Sequence, residues 1–118
     1  MESESFKIAK SFLGEEVEVI MDRPLGTKHP KHGFVYEVNY GYIENVIAPD
    51  GEELDAYYLG VNFPLEKAKG KVIAIIHRTD NDDDKLVVVP EGTILSDEEI
   101  SKEVNFQEKW FKSSVVRK

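Results

Sequence analysis

The chain has 118 residues, 41% of them hydrophobic, which is the size of one domain with one core. Its net charge of -8 argues against a broad nucleic-acid or anionic-membrane interface, because both need excess positive charge. Without cysteine, the chain forms neither a disulfide framework nor a thiolate metal site. No basic-then-apolar leader pattern occurs at the start, and no apolar run approaches the ~18 residues of a membrane span. We therefore expect one soluble domain over residues 1–118, with the cytoplasm as default location.

The N-terminal segment, residues 1–13, is consistent with either a short amphipathic helix after a serine cap or a loose extension. Its hydrophobic side chains recur every three or four residues, at Phe6, Ala9, Phe12 and Leu13. Residues 16–21 then alternate polar and apolar side chains, which predicts a strand. Pro24 and Gly26 follow and are expected to end it.

Five further segments are rich in β-branched and aromatic residues and predict short strands. They are residues 34–38, 42–48, 54–59, 71–77 and 86–89. Pro49-Asp50-Gly51 is a hairpin signal, and the strands are too closely spaced for crossover helices. We therefore expect a mainly β (α+β) fold built on a small closed antiparallel barrel, which leaves no free sheet edge.

The C-terminal region predicts one α-helix over residues 96–113. Ser96 is a helix-capping residue, and Glu99 three positions later completes a capping box. An apolar stripe follows, at Ile100, Val104, Phe106, Trp110 and Phe111. We expect this helix to plug or flank the barrel, with Trp110 in the core.

The first acidic cluster surrounds a predicted hairpin turn and contains Asp50, Glu52 and Asp55. If the residues after the turn are extended, strand alternation and the turn would bring these three carboxylates together. Like charges ~5 Å apart repel by roughly 3 kcal/mol at an effective dielectric near 20, so convergence favours a bound cation. Oxygen ligands without histidine or cysteine indicate magnesium or manganese. Taken alone, the turn is better explained as a solvated Asp-Gly hairpin with charged flanks.

The second acidic cluster, residues 80–84, contains four aspartates and is followed by Lys85 and an apolar run. A calcium-binding loop is excluded, because Lys85 stands where the sharp turn needs glycine. A solvated loop remains open for this cluster by itself. Two carboxylate clusters with a lysine and Tyr40 are, however, the groups needed to hold divalent cations against a phosphate substrate.

The order of these motifs resembles the soluble magnesium-dependent inorganic pyrophosphatases, of which the chain would be a short divergent member. The resemblance covers residues 34–90: an Asn-Tyr-Gly-Tyr segment at 39–42, the acidic turn, and the acidic loop with its lysine. It implies a five-stranded OB-like barrel. It also implies hydrolysis of inorganic diphosphate to two phosphates by a metal-activated water, with Mg²⁺ as cofactor and Mn²⁺ as a possible substitute.

The resemblance also implies the residues of the site. Metal ligands are expected at Asp50, Glu52, Asp55, Asp80 and Asp83. Glu52 and Asp55 are the expected catalytic proton acceptors, although Glu52 is one methylene longer than the family's aspartate. Substrate contacts are expected from Tyr40, Lys85 and Lys28.

Two parts of the chain depart from the family pattern. The expected arginine before Tyr40 is missing, and His29 and His32 occupy this region; we expect them to be polar surface rather than ligands. In the C-terminal helix, Trp110 and Phe111 replace a Tyr-Lys pair that binds phosphate in the family. Two alternatives therefore stay open: hydrolysis of another phosphoanhydride such as a nucleotide, and an inactive phosphate-binding or diphosphate-binding module. The expected partner is a small molecule, with neither nucleic acid nor membrane, and the family suggests a homo-oligomer.

Overall fold

The computed structural model describes residues 4–48, 51–79 and 83–117. In these ranges the chain forms two helices and six strands. In chain order they are α1 (Glu4–Lys10), β1 (Glu16–Arg23), β2 (Asn39–Ile47), β3 (Glu53–Tyr58), β4 (Lys67–Arg78), β5 (Lys85–Val89), α2 (Asp97–Glu108) and β6 (Ser113–Val116). Neither helix is long and apolar enough to cross a membrane in the described part of the chain.

Five strands close into a barrel in the order β1-β2-β3-β5-β4, and pairing of β1 with β4 completes the ring. The predicted mainly β fold with a small closed barrel is confirmed. The expectation of a wholly antiparallel sheet is wrong at one pair, because β3 and β5 are parallel. The physical reason is that β5 forms an antiparallel pair with β4 but inserts between β4 and β3, which makes it run in the direction of β3.

The two faces of the barrel sheet bury separate hydrophobic clusters, as the two-residue period of strands requires. The inner cluster takes side chains from all five barrel strands, and the partly buried Phe6 and Ile8 of α1 pack against it. The outer cluster takes side chains from β2, β3, β4 and β5, and α2 covers it with Ile100, Val104 and Phe106. The C-terminal helix therefore flanks the barrel.

The capping box predicted at the start of α2 is confirmed. Ser96 Oγ accepts a hydrogen bond from the Glu99 backbone N–H at 3.1 Å, and Glu99 Oε1 accepts one from the Ser96 N–H at 2.9 Å. The end was predicted too late, since the helix stops at Glu108 and the chain turns into β6, which pairs with β4. Trp110 thus lies beyond the helical stripe and is 65% exposed, so its predicted core position is wrong.

The structure also decides the conformation of two further segments. The N-terminal extension is helical at Glu4–Lys10, which resolves the choice between helix and loose tail in favour of a helix. Residues 34–38, predicted as a strand, form only an isolated bridge between Val35 and Lys28. This segment nevertheless buries Tyr36 and Val38 in the outer cluster.

Candidate active site

A cavity of about 630 Å³ opens beside the outer cluster. Its charged side chains come from the strands and from the segment that precedes β5; they are Asp55, Arg78, Asp83 and Lys85. The remainder of its lining is largely aromatic, with contributions from the segment before β2 and from the residues that follow α2. The cavity therefore combines a charged floor, defined as these four residues, with an aromatic wall.

Strand register explains why the charged side chains meet. In the barrel, Tyr40 of β2 lies opposite Tyr57 of β3, and Asp55 is two residues from Tyr57 on the same face. Lys85 of β5 pairs with Ile76 of β4, and Arg78 is two residues further along β4. Alternation thus places one polar cavity side chain from each of four strands on the outer face.

Asp55 is at the centre of this arrangement and is about one-third exposed. Its Oδ2 accepts hydrogen bonds from the Tyr40 hydroxyl at 2.8 Å and from Lys85 Nζ at 2.9 Å. Burial, followed by the adjacent Asp55 carboxylate, holds the pKa of Tyr40 well above its usual value, so the hydroxyl stays protonated and donates. Asp55 Oδ1 accepts no hydrogen bond from the described residues, which leaves it available to a ligand in the cavity.

The 39–42 segment holds Tyr40 in place through its neighbours. Buried Asn39 accepts hydrogen bonds from the N–H groups of Leu25 and Leu65 and donates one to the Phe63 carbonyl, so it ties two loops to the start of β2. At Gly41 a β-carbon would lie 1.9 Å from the Ile20 carbonyl oxygen. Only glycine permits this approach of β1 and β2, which explains the motif physically.

Lys85 joins the two acidic clusters. Its ammonium group donates to Asp55 Oδ2 and to Asp83 Oδ1, both at 2.9 Å, and its side chain is only 3% exposed. Burial alone would lower its pKa, but the carboxylates of Asp55 and Asp83 more than offset that effect and raise it. The cationic form is therefore the stable one, and one buried cation bridges the two carboxylates.

Arg78 lines the cavity and is a site residue that sequence reasoning missed. Its guanidinium donates to Glu108 at 3.0 and 2.7 Å and to Asp83 Oδ2 at 3.1 Å, while the Phe111 ring lies 3.7 Å from the guanidinium carbon. Burial opposes its charge, but Glu108 more than compensates and raises the pKa. The signal available in the sequence was an arginine that ends an apolar strand immediately before an acidic loop.

A buried hydrogen-bond chain continues beneath the floor. Tyr57 donates to Glu108 at 2.6 Å and accepts from the Gln107 amide at 2.7 Å, and Gln107 in turn accepts from Tyr36 at 2.9 Å. The last turn of α2 is thereby tied to β3 and β4. Because Glu108 also accepts from Arg78, this network holds Arg78 in the floor.

The short segment between the second acidic loop and β5 is anchored by α1. Ser5 Oγ donates to Asp84 Oδ2 at 3.0 Å and accepts from the Asp84 N–H at 2.9 Å. The other carboxylate oxygen of Asp84 accepts from the Arg78 N–H at 2.9 Å. Because Asp83 and Lys85 flank this anchor, the N-terminal helix positions two residues of the charged floor.

A comparison with protein-family models matches residues 11–115 to inorganic pyrophosphatase. This match covers most of the chain. The chain belongs to the inorganic pyrophosphatase family. Membership of this family supports hydrolysis of inorganic diphosphate in general. The family is generally metal-dependent.

Solved structures confirm the pyrophosphatase fold. The inorganic pyrophosphatases of Ehrlichia chaffeensis and Helicobacter pylori both match with a TM-score of 0.68, at 16% and 18% identity. The first match covers 86% of this chain and 85% of the other, and the second covers 87% and 85%. The Thermus thermophilus enzyme matches with a TM-score of 0.60 at 18% identity, over 86% of this chain and 80% of the other. No curated protein matches the sequence.

The cavity brings together four of the predicted site residues: Tyr40, Asp55, Asp83 and Lys85. Two others lie apart from it: Glu52 is exposed at the turn before β3, and Lys28 is exposed at its bridge with Val35. Asp50 and Asp80 fall outside the described residues. His29 and His32, which we expected to be polar surface, line the cavity.

The donor set of this site fits a hard divalent cation in chemistry. Asp55 and Asp83 offer carboxylate oxygens to the cavity and already share one cation, the Lys85 ammonium. Within residues 4–48, 51–79 and 83–117, no three His, Cys, Asp or Glu side chains lie together as a metal site. Of the five predicted carboxylate ligands, three are described, and two of these, Asp55 and Asp83, line the cavity.

Proposed function

We propose that this protein hydrolyses inorganic diphosphate to two phosphates with Mg²⁺ as cofactor, Mn²⁺ being able to replace it. The observation that carries the proposal is the convergence of Asp55, Asp83, Lys85 and Arg78 in one cavity. These four residues provide both carboxylate ligands for cations and fixed positive groups for phosphate oxygens. That pairing is what diphosphate hydrolysis requires.

Charge balance supports the dependence on metal. Lys85 is neutralised by Asp55 and Asp83, and Arg78 by Glu108 and Asp83, all through contacts of 3.1 Å or less. The described floor therefore has no surplus positive charge for a diphosphate anion. Divalent cations bound to the carboxylates would supply that surplus, and would release Lys85 to turn toward phosphate.

We assign the metal to Asp55 and Asp83, with Asp50, Glu52 and Asp80 as the further ligands. When bound, the metal supplies a water of lowered pKa and neutralises phosphate charge. Asp55 Oδ1 is the proposed proton acceptor, because its partner oxygen is already held by Tyr40 and Lys85. Glu52 remains the second candidate for this role.

The remaining residues bind and orient substrate. Lys85 and Arg78 stabilise the charge that develops on the leaving phosphate, and both keep their charge because their pKa values are raised. Tyr40 orients Asp55 through its hydroxyl, and its ring lines the cavity. Lys28 is proposed as a further substrate contact, at an exposed position.

The test is phosphate release from diphosphate by the variant Asp55→Asn. It keeps the size of the side chain but removes the proton acceptor, so turnover should fall by at least about 100-fold. Glu18→Gln is the matched control, because Glu18 is an exposed carboxylate on β1 outside the cavity. Undiminished turnover in Asp55→Asn, with both variants folded, would exclude this role for Asp55. Tight diphosphate binding without turnover in the wild type would instead indicate the inactive binding module.

A further inference from the structure

The aromatic wall of the cavity is chemically unsuited to inorganic diphosphate alone. It includes His29, His32, Phe34, Trp110 and Phe111. Diphosphate consists of phosphorus and oxygen, so it needs hydrogen-bond donors and cations over its whole surface and offers nothing for a ring to pack against. The charged floor meets that need, and the aromatic wall has no role in the reaction proposed above.

Trp110 is the most distinctive part of this wall. It follows the end of α2, lines the cavity and is nonetheless 65% exposed, while Lys109 Nζ lies 5.0 Å from its ring centroid. A large aromatic ring exposed at the edge of a cavity is a typical site for contact with a flat ligand. The neighbouring Phe111 packs on Arg78, which places the wall directly beside the charged floor.

His29 and His32 form the second part of the wall, and their rings are in contact, tilted by 35°. Their centroids lie 4.7 Å apart, and the Phe34 ring lies 4.9 Å from that of His29. His29 Nδ1 accepts the N–H groups of Lys31 and His32, both at 3.1 Å, so this nitrogen bears no proton and the ring is neutral. Burial, followed by the charge of His32, also lowers the pKa of His29. His29 is therefore a flat neutral surface rather than a cation for phosphate.

We propose that this site also accepts a diphosphate with an aromatic substituent, namely a nucleoside diphosphate, whose base stacks on Trp110 and the histidine rings while its anhydride lies on the charged floor. This inference rests on the proposed function, because it uses the same floor and the same hydrolysis. Both halves of the cavity then have a partner. A volume of about 630 Å³ is also within the range of sites for small organic ligands.

The reaction balances without a further co-reactant. The oxygen of water bonds to the terminal phosphorus, and the bond from this phosphorus to the bridging oxygen breaks. Inorganic phosphate and the nucleoside monophosphate leave. The proton lost by water passes to Asp55 and then to solvent.

Trp110 is the only tryptophan, so its fluorescence reports directly on the wall. The experiment is a titration of the full-length protein with ADP and, separately, with inorganic diphosphate, combined with phosphate release from each in the presence of Mg²⁺. A stacked adenine should quench Trp110, whereas diphosphate should leave its emission nearly unchanged. In Trp110→Leu, kcat/KM for ADP should fall about tenfold, the size of one aromatic stacking contact, and that for diphosphate less than twofold.

Phe63→Leu is the matched control, because Phe63 is an exposed aromatic residue that does not line the cavity. It should leave both activities unchanged. If the protein hydrolyses diphosphate, but ADP neither quenches Trp110 nor is hydrolysed, this inference is overturned and the proposed function stays intact. Hydrolysis of ADP without hydrolysis of diphosphate would overturn the proposed function and support the nucleotide as substrate. Quenching by ADP without phosphate release would overturn the nucleotide as a substrate.

Discussion

Glu108→Gln tests the buried network beneath the charged floor. Glu108 and Arg78 are 5% and 4% exposed, and the Glu108 carboxylate accepts three hydrogen bonds, two from Arg78 and one from Tyr57. The amide keeps the shape of the side chain but removes its charge. It also turns an NH₂ group toward Arg78 or Tyr57, which are themselves hydrogen-bond donors. Arg78 would then be buried with Asp83 as its remaining carboxylate partner.

The expected loss is about 3 kcal/mol of unfolding free energy, the lower end of the cost of breaking a buried ion pair, because one acceptor oxygen survives. At about 4 °C per kcal/mol for a chain of this size, the melting temperature should fall by roughly 12 °C. Thermal unfolding followed by circular dichroism measures it. Glu103→Gln is the control, an exposed glutamate on the same helix that should change stability little.

A double-mutant cycle separates the pair from its parts. The double variant Arg78→Met, Glu108→Gln should lose less unfolding free energy than the two single variants added together. Each single variant leaves the charge of the other residue buried without this partner, whereas the double variant removes both charges. A melting temperature of Glu108→Gln within a degree or two of the wild type would refute the account of the network. Full additivity in the cycle would refute direct coupling between the two residues.

Three further predictions concern the scaffold. Gly41→Ala places a methyl group 1.9 Å from the Ile20 carbonyl oxygen and should cost about 3 kcal/mol or prevent folding, as measured by chemical denaturation. Ser5→Ala leaves the buried Asp84 without two hydrogen bonds and should cost about 2 kcal/mol in urea denaturation, whereas an unchanged midpoint would contradict the anchor. For Glu99, the capping hydrogen bonds lower its pKa from 4.5, so its ionised form stabilises the fold. That contribution is present above pH 4.5 and is lost as the pH falls through the lowered value. The stability difference between wild type and Glu99→Gln, from melting curves at several pH values, should therefore shrink below pH 4.5; a constant difference down to pH 3 would argue against it.

Local sequence patterns predicted most of the barrel, because alternation of polar and apolar residues and β-rich composition identify strands in a sequence. Tertiary placement was harder. The position of β5 between β3 and β4 depends on which edge remains free after the earlier strands pair, and no local pattern encodes it. Likewise, residues 34–38 have strand-like composition, yet they pair through one bridge only.

The helix end illustrates a second limit. The apolar spacing of α2 continues to Trp110 and Phe111, so periodicity alone extends the helix past its true end at Glu108. β6, with two serines and two valines, has too little pattern to compete with that signal. The misplacement mattered for function, because a tryptophan assigned to the core was in fact beside the cavity.

Within the site, the order of the sequence motifs predicted three of the charged residues that line the cavity. They are Asp55 and Asp83 from the two acidic clusters, and Lys85, which follows the second cluster. Arg78 could not be found in the same way, because its role depends on Glu108 thirty residues later and on the packing of Phe111. The place of His29 and His32 in the cavity could not be predicted for a related reason: a histidine pair in a loop lines a cavity only when the chain folds it there.

The central claim is tested most directly by phosphate release from inorganic diphosphate, measured on the wild-type protein with Mg²⁺, with Mn²⁺ and with chelator. The charge balance of the floor predicts turnover with either cation and almost none with chelator. Equal turnover in chelator would contradict the metal-dependent site. No release under any of these conditions, from protein shown to be folded, would contradict the proposed reaction itself.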